Sequence, residues 1–361
     1  MMEALFNSII LQPTSLCNLN CKYCYLVDRD KNLKMVPAVI EKVVDAMEAC
    51  NYPFKVTWHG GEPTSSGLKH FESLLHPMRG LMSRNLIQQV IQTNGTLIDK
   101  RWCEFFQKYS FNVGISIDGP EWANRKRVNW NDVGSYHKIL AGVNFLRVAG
   151  IKFSVICVVT NSTITRPEEL YEFFCNLGCF SLGINFEEKI GINSTAVNSN
   201  ELVIDFWQRL FRAWRKNPQI EIYSFKRMLS RLEDISHGRP TVVQRAVDKI
   251  DLFPSVSYSG DVILLSPEFL NTKSAEHVDF IVGNVLHEPL LDILDRWRSI
   301  NYVTGFVEGV KKCQEACSYF SVCGGGQASN KFFEHGAVNI TETSFCRNAY
   351  QHLAEVVVGE L

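Results

Sequence analysis

Short apolar runs alternate with amphipathic stretches along the first half of the chain. The runs have the length and β-branched content of buried strands, and they lie at 7–12, 54–59, 86–93, 112–118, 152–159 and 181–186. Apolar residues at helical spacing separate them, in a helix beginning at Pro37 and in stretches at 69–82, 99–109, 135–149 and 167–177. A strand–helix unit about every 30 residues predicts a parallel sheet. Six units suit an open, partial barrel better than a closed barrel of eight.

The second half of the chain is organised differently. A polar stretch at 190–200 predicts a loop, and a strong helix follows at 201–216. Leu202, Phe206, Leu210 and Trp214 share one face of that helix, which indicates packing rather than a surface for stacking bases. A turn, "YSGDV", near residue 260 opens a β-like stretch. We therefore divide the chain into a barrel (1–195), a helical bridging segment (196–252) and a C-terminal domain (253–361).

The net charge and the lack of long apolar runs limit the kinds of partner that the protein is expected to bind. The formal net charge of the 361 residues is -1, so nothing indicates nucleic acid or an anionic membrane as a partner. The N-terminal sequence has no basic region or cleavage site of a signal peptide, and no apolar run approaches the roughly 20 residues of a membrane span. We expect a cytoplasmic protein.

Twelve cysteines need an explanation in a reducing compartment, where metal or catalytic roles are favoured over disulfides. Five of them fall in helix or strand patterns and are assigned to packing: Cys50, Cys103, Cys157, Cys175 and Cys179. The other seven form two groups, one near each end of the chain.

The N-terminal group is Cys17, Cys21 and Cys24 in "QPTSLCNLNCKYCYL". It follows the first predicted strand, at the end of a parallel strand where barrels build their chemistry. Three thiolates around a four-iron cluster leave one iron without a protein ligand, so a cofactor or substrate can bind there. The alternative is a zinc site completed by a distant residue.

Three further motifs follow the next three strands: "GGEP" (60–63), "QTNGT" (92–96) and "SIDGP" (116–120). With the cysteines, this order resembles the radical S-adenosylmethionine (radical SAM) superfamily. The resemblance implies a TIM-type (β/α)6 partial barrel and a catalytic 4Fe-4S cluster on Cys17, Cys21 and Cys24. It also implies a set of residues that bind SAM: Tyr23, Gly60, Gly61, Glu62, Asn94, Ser116, Asp118 and Arg127. In this family an electron from the cluster cleaves SAM, and the resulting 5′-deoxyadenosyl radical removes a hydrogen atom from the substrate.

The C-terminal group is Cys313, Cys317, Cys323 and Cys346. Four thiolates complete a metal site, and structural zinc is the alternative to an iron–sulfur cluster. Beside the radical SAM motifs, this tail resembles a shortened, twitch-like form of the SPASM domain. Full SPASM domains carry seven cysteines for two clusters, whereas the stretch at 254–268 has none. We predict one auxiliary iron–sulfur cluster, for electron transfer or structural support.

A closer resemblance runs through "GINFEE", "LSPE", "CGGGQASNKFFEHG" and "TETSFCR". These stretches are similar to peptide maturases that form cyclophanes, in which an aromatic ring carbon is joined to a β-carbon of a precursor peptide. That resemblance implies an oxidative C–C crosslink, a flavodoxin- or ferredoxin-type electron donor and a base, for which the candidates are Glu187, Glu188 and Glu268. His59 is either a polar neighbour of SAM or a proton donor.

Two other functions remain open from the sequence. A radical SAM enzyme of the same lineage could act on a small non-peptide metabolite. A non-catalytic module could hold zinc at both cysteine groups. The motifs that hold SAM do not separate peptide from metabolite.

Overall fold

The computed structural model describes residues 3–245 and 249–361. Within those ranges the strands are β1 (Glu3–Leu5), β2 (Ser8–Leu11), β3 (Phe54–Trp58), β4 (Ile87–Thr93), β5 (Asn112–Ser116), β6 (Phe153–Val159), β7 (Ser181–Phe186), β8 (Glu221–Ile222), β9 (Lys249–Asp251), β10 (Ser255–Val256), β11 (Asp261–Ile263) and β12 (Gly283–Asn284). The helices are α1 (Pro37–Cys50), α2 (Leu68–Leu75), α3 (Arg79–Ser83), α4 (Lys100–Lys108), α5 (Tyr136–Val148), α6 (Pro167–Leu177), α7 (Asn200–Lys216), α8 (Tyr223–Ser236), α9 (Val242–Arg245), α10 (Leu290–Asp295), α11 (Asn301–Ala316), α12 (Phe320–Cys323), α13 (Ala328–His335), α14 (Ser344–Cys346) and α15 (His352–Glu360).

The barrel strands β2 to β7 lie side by side in chain order, and every neighbouring pair is parallel. The two-residue strand β8 extends this order beyond β7. Helices connect successive strands, as parallel pairing requires. The predicted α/β fold, a partial (β/α)6 barrel, is confirmed.

Local sequence explains where most barrel helices begin. Pro37 and Pro167 occupy the first turns of α1 and α6, where a missing N–H costs nothing. Asp99 caps α4, its side chain accepting a hydrogen bond from the Trp102 N–H. The prediction of one helix over 69–82 is wrong, because Pro77 separates α2 from α3 by removing an N–H and disfavouring helical geometry in the residue before it.

The aromatic face of α7 is packed, as its pattern predicts. Phe206, Trp207 and Leu210 are fully buried, and the Trp207 indole N–H donates to the Asn348 carbonyl oxygen over 2.7 Å. Helix α7 thereby lies between the barrel and the C-terminal residues. The polar stretch before α7 forms the predicted loop.

The tail continues the barrel sheet. Strand β10 pairs in parallel with β2, and β11 and β12 add to it in antiparallel fashion, so that the described residues form one sheet of ten strands. The predicted turn near residue 260 connects β10 and β11, while the pairing of β1 with β9 was not predicted. No helix in the described ranges is long and apolar enough to cross a membrane.

Candidate functional site

A cavity of about 390 Å³ lies at the carboxyl ends of the barrel strands. Most of the predicted site residues line it, together with residues of the tail. The predicted residues in its wall are Cys17, Cys21, Cys24, Tyr23, Gly61, Glu62, Asn94, Ser116, Arg127, Glu187, Glu188 and Glu268. Gly60 and Asp118 are not among the residues that line it.

The loop after β2 brings the first three cysteines to the cavity. Its backbone is held at both ends of the motif: the Cys17 N–H donates to the Arg29 carbonyl oxygen over 2.8 Å, and the Lys22 N–H to that of Lys126 over 2.9 Å. The three thiols are free. Burial raises the pKa of the Cys21 thiol to about 11 and that of Cys17 still further, so a metal charge is needed to hold them as thiolates.

The glycine turn after β3 packs directly on that loop. A Cβ at Gly61 would lie 2.5 Å from the Thr14 carbonyl oxygen and 2.7 Å from that of Ser15, and the residue has a φ of +62°. The next N–H, of Glu62, donates to the Leu16 carbonyl oxygen over 2.8 Å. Only glycine lets the two segments approach this closely.

The Glu62 carboxylate is fixed at the base of the cavity. Its Oε1 accepts from the hydroxyls of Thr64 and Thr93, both over 2.6 Å, and its Oε2 accepts from the Asn94 N–H over 2.7 Å. Burial raises the pKa of this carboxyl despite those donors. The unused capacity of Oε2 therefore suits a cationic ligand group, which would favour the charged form.

Asp118 and Arg127 bind each other. The Arg127 Nε and Nη2 donate to the two carboxylate oxygens of Asp118, each over 3.0 Å, and the Tyr23 hydroxyl donates to the same carboxylate over 2.5 Å. Asp118 is fully buried, while Arg127 reaches the cavity wall. The structure thus places Asp118 one layer behind the cavity, where it orients two residues that line it. Its predicted direct contact with SAM stays a prediction.

Arg127→Met should lower the free energy of unfolding by about 3–5 kcal/mol, because it leaves the buried Asp118 carboxylate without its counter-charge. Denaturant unfolding measures this. Lys22→Met is the matched control: it breaks an exposed pair with Asp132 and should cost less than about 1 kcal/mol. Equal losses in the two variants would contradict the structural role of the buried pair.

The three candidate bases differ in their surroundings. Glu187 is buried and paired with the Lys126 ammonium, whose Nζ lies 2.6 and 2.8 Å from the two carboxylate oxygens. Glu188 accepts from the Asn330 side-chain amide over 2.7 Å. Burial, with the nearby carboxylates Glu268 and Glu334, raises the pKa of Glu188 to about 8. Burial also raises the pKa of Glu268.

Sequence reasoning named His59 but assigned no role to Tyr25, Gln327 or Phe345, which also line the cavity. The Tyr25 hydroxyl lies 2.9 Å from Nε2 of His59, and burial lowers the pKa of that histidine to about 4. Gln327 and Phe345 reach the cavity from the tail. Gln327 and Phe345 could not be assigned to the cavity, because only the docking of the tail on the barrel brings them there. Tyr25 directly follows Cys24, and that position is the signal that could have found it.

The tail cysteines also come together. Cys313, Cys317, Cys323 and Cys346 line one narrow pocket. The Cys313 thiol donates to the Thr341 carbonyl oxygen over 3.0 Å, and the Thr343 hydroxyl donates to the Cys346 sulfur over 3.2 Å. In the part of the chain that is described, no three His, Cys, Asp or Glu side chains converge as ligands of a single metal ion would. The predicted auxiliary iron–sulfur cluster on these four cysteines stays a prediction.

Comparison with known proteins identifies the family. The family model of the radical SAM superfamily matches residues 11–174. An uncharacterized protein of Synechocystis sp. is 33% identical over 375 aligned residues, which cover 98% of this chain and 92% of that protein. The chain belongs to the radical SAM superfamily. The protein is therefore an enzyme, and this result argues against the alternative of a non-catalytic module that holds zinc at both cysteine groups.

Further likenesses of this radical SAM protein extend over nearly its whole length. A serine-type anaerobic sulfatase-maturating enzyme of Bacteroides thetaiotaomicron is 24% identical, with 96% of this chain and 89% of that enzyme covered. The fold matches native anSMEcpe with bound AdoMet and Cp18Cys peptide at a TM-score of 0.77 and 21% identity, covering 98% and 97% of the two chains. It also matches Streptococcus suis SuiB bound to precursor peptide SuiA at a TM-score of 0.65 and 16% identity, covering 94% and 75%.

Radical SAM membership implies S-adenosylmethionine and a 4Fe-4S cluster, and the cavity residues fit both. The three free thiols and the buried Glu62 carboxylate line the same cavity, and a cationic ligand group beside Glu62 would offset the burial that raises the pKa of its carboxyl. Asn94 connects the two, because its side-chain amide donates to Asn18 within the cysteine loop over 2.9 Å while its backbone N–H donates to Glu62. The assignment of individual residues to the cofactors stays a prediction.

Proposed function

We propose that this radical SAM enzyme forms an oxidative C–C crosslink, of the cyclophane type, in a ribosomally made precursor peptide. The observation that carries the proposal is the meeting, in one cavity, of the three-cysteine loop with the carboxylates Glu188 and Glu268. Such a crosslink removes a hydrogen atom from a β-carbon, then a proton and an electron from the aromatic ring. The cavity holds candidates for the first two tasks, and the auxiliary cluster on the tail cysteines is the proposed acceptor of the electron.

In the proposal, Cys17, Cys21 and Cys24 hold the catalytic 4Fe-4S cluster, and Glu62 binds the amine of SAM. When bound, these groups supply a radical that abstracts the substrate hydrogen atom. The glycine turn holds Glu62 against the cysteine loop, so cluster and cofactor share a fixed geometry. A fixed geometry at the reacting atoms is the main contribution that a protein makes to such chemistry.

Glu188 and Glu268 are the proposed bases. A carboxyl with a pKa near 8 accepts a proton more readily than an ordinary carboxylate. Glu187 is a weaker candidate, since Lys126 neutralises it in a two-oxygen ion pair. We assign Glu187 to holding Lys126 beside the cavity.

A peptide substrate is supported by the relatives. SuiB was solved bound to its precursor peptide, and anSMEcpe bound to the Cp18Cys peptide. The cavity of the present chain also has a wall from the tail, contributed by Gln327 and Phe345. A partner protein of flavodoxin or ferredoxin type is the proposed source of electrons.

Glu188→Gln should reduce crosslinked product by about 100-fold while 5′-deoxyadenosine is still released, because proton removal follows hydrogen abstraction. In the parent enzyme, product formation should rise from pH 7 to pH 9. The base works as a carboxylate, and its pKa near 8 means that it is mostly protonated at the lower pH. Mass spectrometry of peptide and nucleoside measures both quantities.

The exposed Glu172→Gln is the matched control and should leave both yields unchanged, whereas Glu268→Gln tests the second carboxyl. A peptide that loses two hydrogen atoms and gains a link resistant to proteolysis supports the crosslink. Side-chain oxidation without a link would contradict it, as would turnover of a small metabolite but of no peptide encoded near the gene.

A further inference from the structure

Lys331 in α13 is a buried cation. Its side chain has no solvent exposure, and its Nζ has no hydrogen-bond partner among the described residues. The ammonium lies over the ring of Phe306, 5.1 Å from its centroid. A lone ammonium in such surroundings is costly, because burial removes its hydration. A negatively charged group near the Lys331 ammonium would offset this cost.

The auxiliary cysteines are the negative groups that face it. Lys331 interacts electrostatically with Cys313, Cys323 and Cys346. Its side chain therefore lies within electrostatic range of three of the four thiols that line that pocket.

Two glycines provide the passage for the Lys331 side chain. A Cβ at Gly309 in α11 would lie 2.9 Å from the Lys331 Nζ. A Cβ at Gly326 would lie 3.1 Å from the Cys346 sulfur and 3.8 Å from the Lys331 Cε. The Lys331 Cε and the Cys346 sulfur thus both lie beside Gly326, and a side chain at that position would stand against them. Packing against these two glycines brings the Lys331 ammonium close to the proposed cluster, although lysine itself would not be a ligand of the metal.

We propose that Lys331 is the counter-charge of the auxiliary iron–sulfur cluster, which it stabilises and whose reduction potential it raises. The proposal rests on the auxiliary cluster of the proposed function. Four thiolates give an iron–sulfur cluster a net negative charge, and reduction adds one more. A fixed positive charge beside the cluster favours the reduced form, since charge near a cluster is one of the determinants of its potential. Lys331 is a positioning residue in this scheme and does not touch the substrate.

The test uses the full chain with Cys17, Cys21 and Cys24 replaced by alanine, so that only the auxiliary cluster is reconstituted. Its midpoint potential is followed by electron paramagnetic resonance during titration with dithionite under mediators. Lys331→Met should shift the potential to more negative values and lower the iron retained after desalting. Lys331→Arg should restore both, because it keeps the charge.

Two comparisons separate a charge effect from a general disturbance. Lys312→Met removes an exposed lysine adjacent to Cys313, and the potential should stay at the parent value because solvent screens that charge. In the iron-free protein, Lys331→Met should raise the melting temperature, since it removes a buried charge without a partner. A merely structural lysine would destabilise both forms when replaced.

The outcomes distinguish the two proposals. If the midpoint potential of the auxiliary cluster were the same in Lys331→Met and Lys312→Met, the proposed role of Lys331 would be wrong. The proposal of an auxiliary cluster would be unaffected. Zinc, or an absence of redox-active iron, in the parent variant would overturn the auxiliary cluster and the role of Lys331 with it.

Discussion

Cys17→Ala is expected to abolish cleavage of S-adenosylmethionine, with 5′-deoxyadenosine formation falling by at least about 1,000-fold. A cluster held by three cysteines has no spare protein ligand. Cys17 also anchors the loop, through its N–H to Arg29 and its carbonyl oxygen to the Trp130 indole. Alanine keeps both backbone bonds, so the loss can be assigned to the thiolate. Anaerobic reconstitution, iron analysis and nucleoside quantification measure it.

Cys313→Ala should give a different pattern. Its sulfur belongs to the separate pocket in the tail, so SAM cleavage should continue at a reduced rate while crosslinked product is lost. Unimpaired product formation by this variant would refute the auxiliary cluster as the electron acceptor. If Cys17→Ala cleaved SAM as fast as Cys313→Ala does, the assignment of SAM cleavage to the N-terminal cysteines alone would be refuted.

Gly61→Ala is expected to have the second large effect. The added methyl group would meet three carbonyl oxygens, of Thr14, Ser15 and Leu16, at 2.5 to 2.8 Å. These are backbone atoms of the segment that leads into Cys17, so they cannot turn aside as a side chain would. We expect a loss of about 3 kcal/mol in the free energy of unfolding, together with poor retention of iron and SAM affinity lowered by more than about 10-fold.

Gly67→Ala is the matched control for that substitution. Gly67 also has a positive φ, of +83°, but nothing lies within 4 Å of an added Cβ. It therefore bears the backbone strain alone, about 1–3 kcal/mol, and should keep its cluster and its SAM affinity. If the two variants bind iron and SAM equally well, close packing of the glycine turn on the cysteine loop is not required for the site.

The barrel could be predicted from the sequence because its signals are local. Periodicity gives β7 as Ser181–Phe186 and α6 as Pro167–Leu177, and the structure has the same bounds. The break between α2 and α3 has a local signal as well, in Pro77. The tail strands could not be assigned with the same certainty. Strands β10 and β12 have two residues each and exist only because β2 and β11 offer them a partner.

The residues of the site also fall into those that the sequence predicts and those that depend on tertiary packing. The cysteines and the glycine turn carry motifs, so their convergence follows from the barrel. The partner of Glu187 could not be inferred, because Lys126 lies 61 positions earlier and carries no motif. Asp118 was expected beside SAM, whereas its buried ion pair with Arg127 depends on how the segment after β5 folds back. The environment of Lys331 is equally invisible in sequence, since burial of a lysine is a property of the packed tail.

The parallel pairing of β10 with β2 determines how this enzyme can be divided. The Ile10 N–H donates to the Pro254 carbonyl oxygen over 2.9 Å, and the Gln12 N–H donates to that of Val256 over 3.0 Å. Without the tail, β2 would become a free sheet edge immediately before the cysteine loop, and such an edge is a template for self-association. A shortened chain that ends before Ser255 would thus expose this edge and lack the four tail cysteines. Barrel and tail share one sheet through the pairing of β10 with β2. A tail taken from a relative would therefore have to form the same pairing with β2.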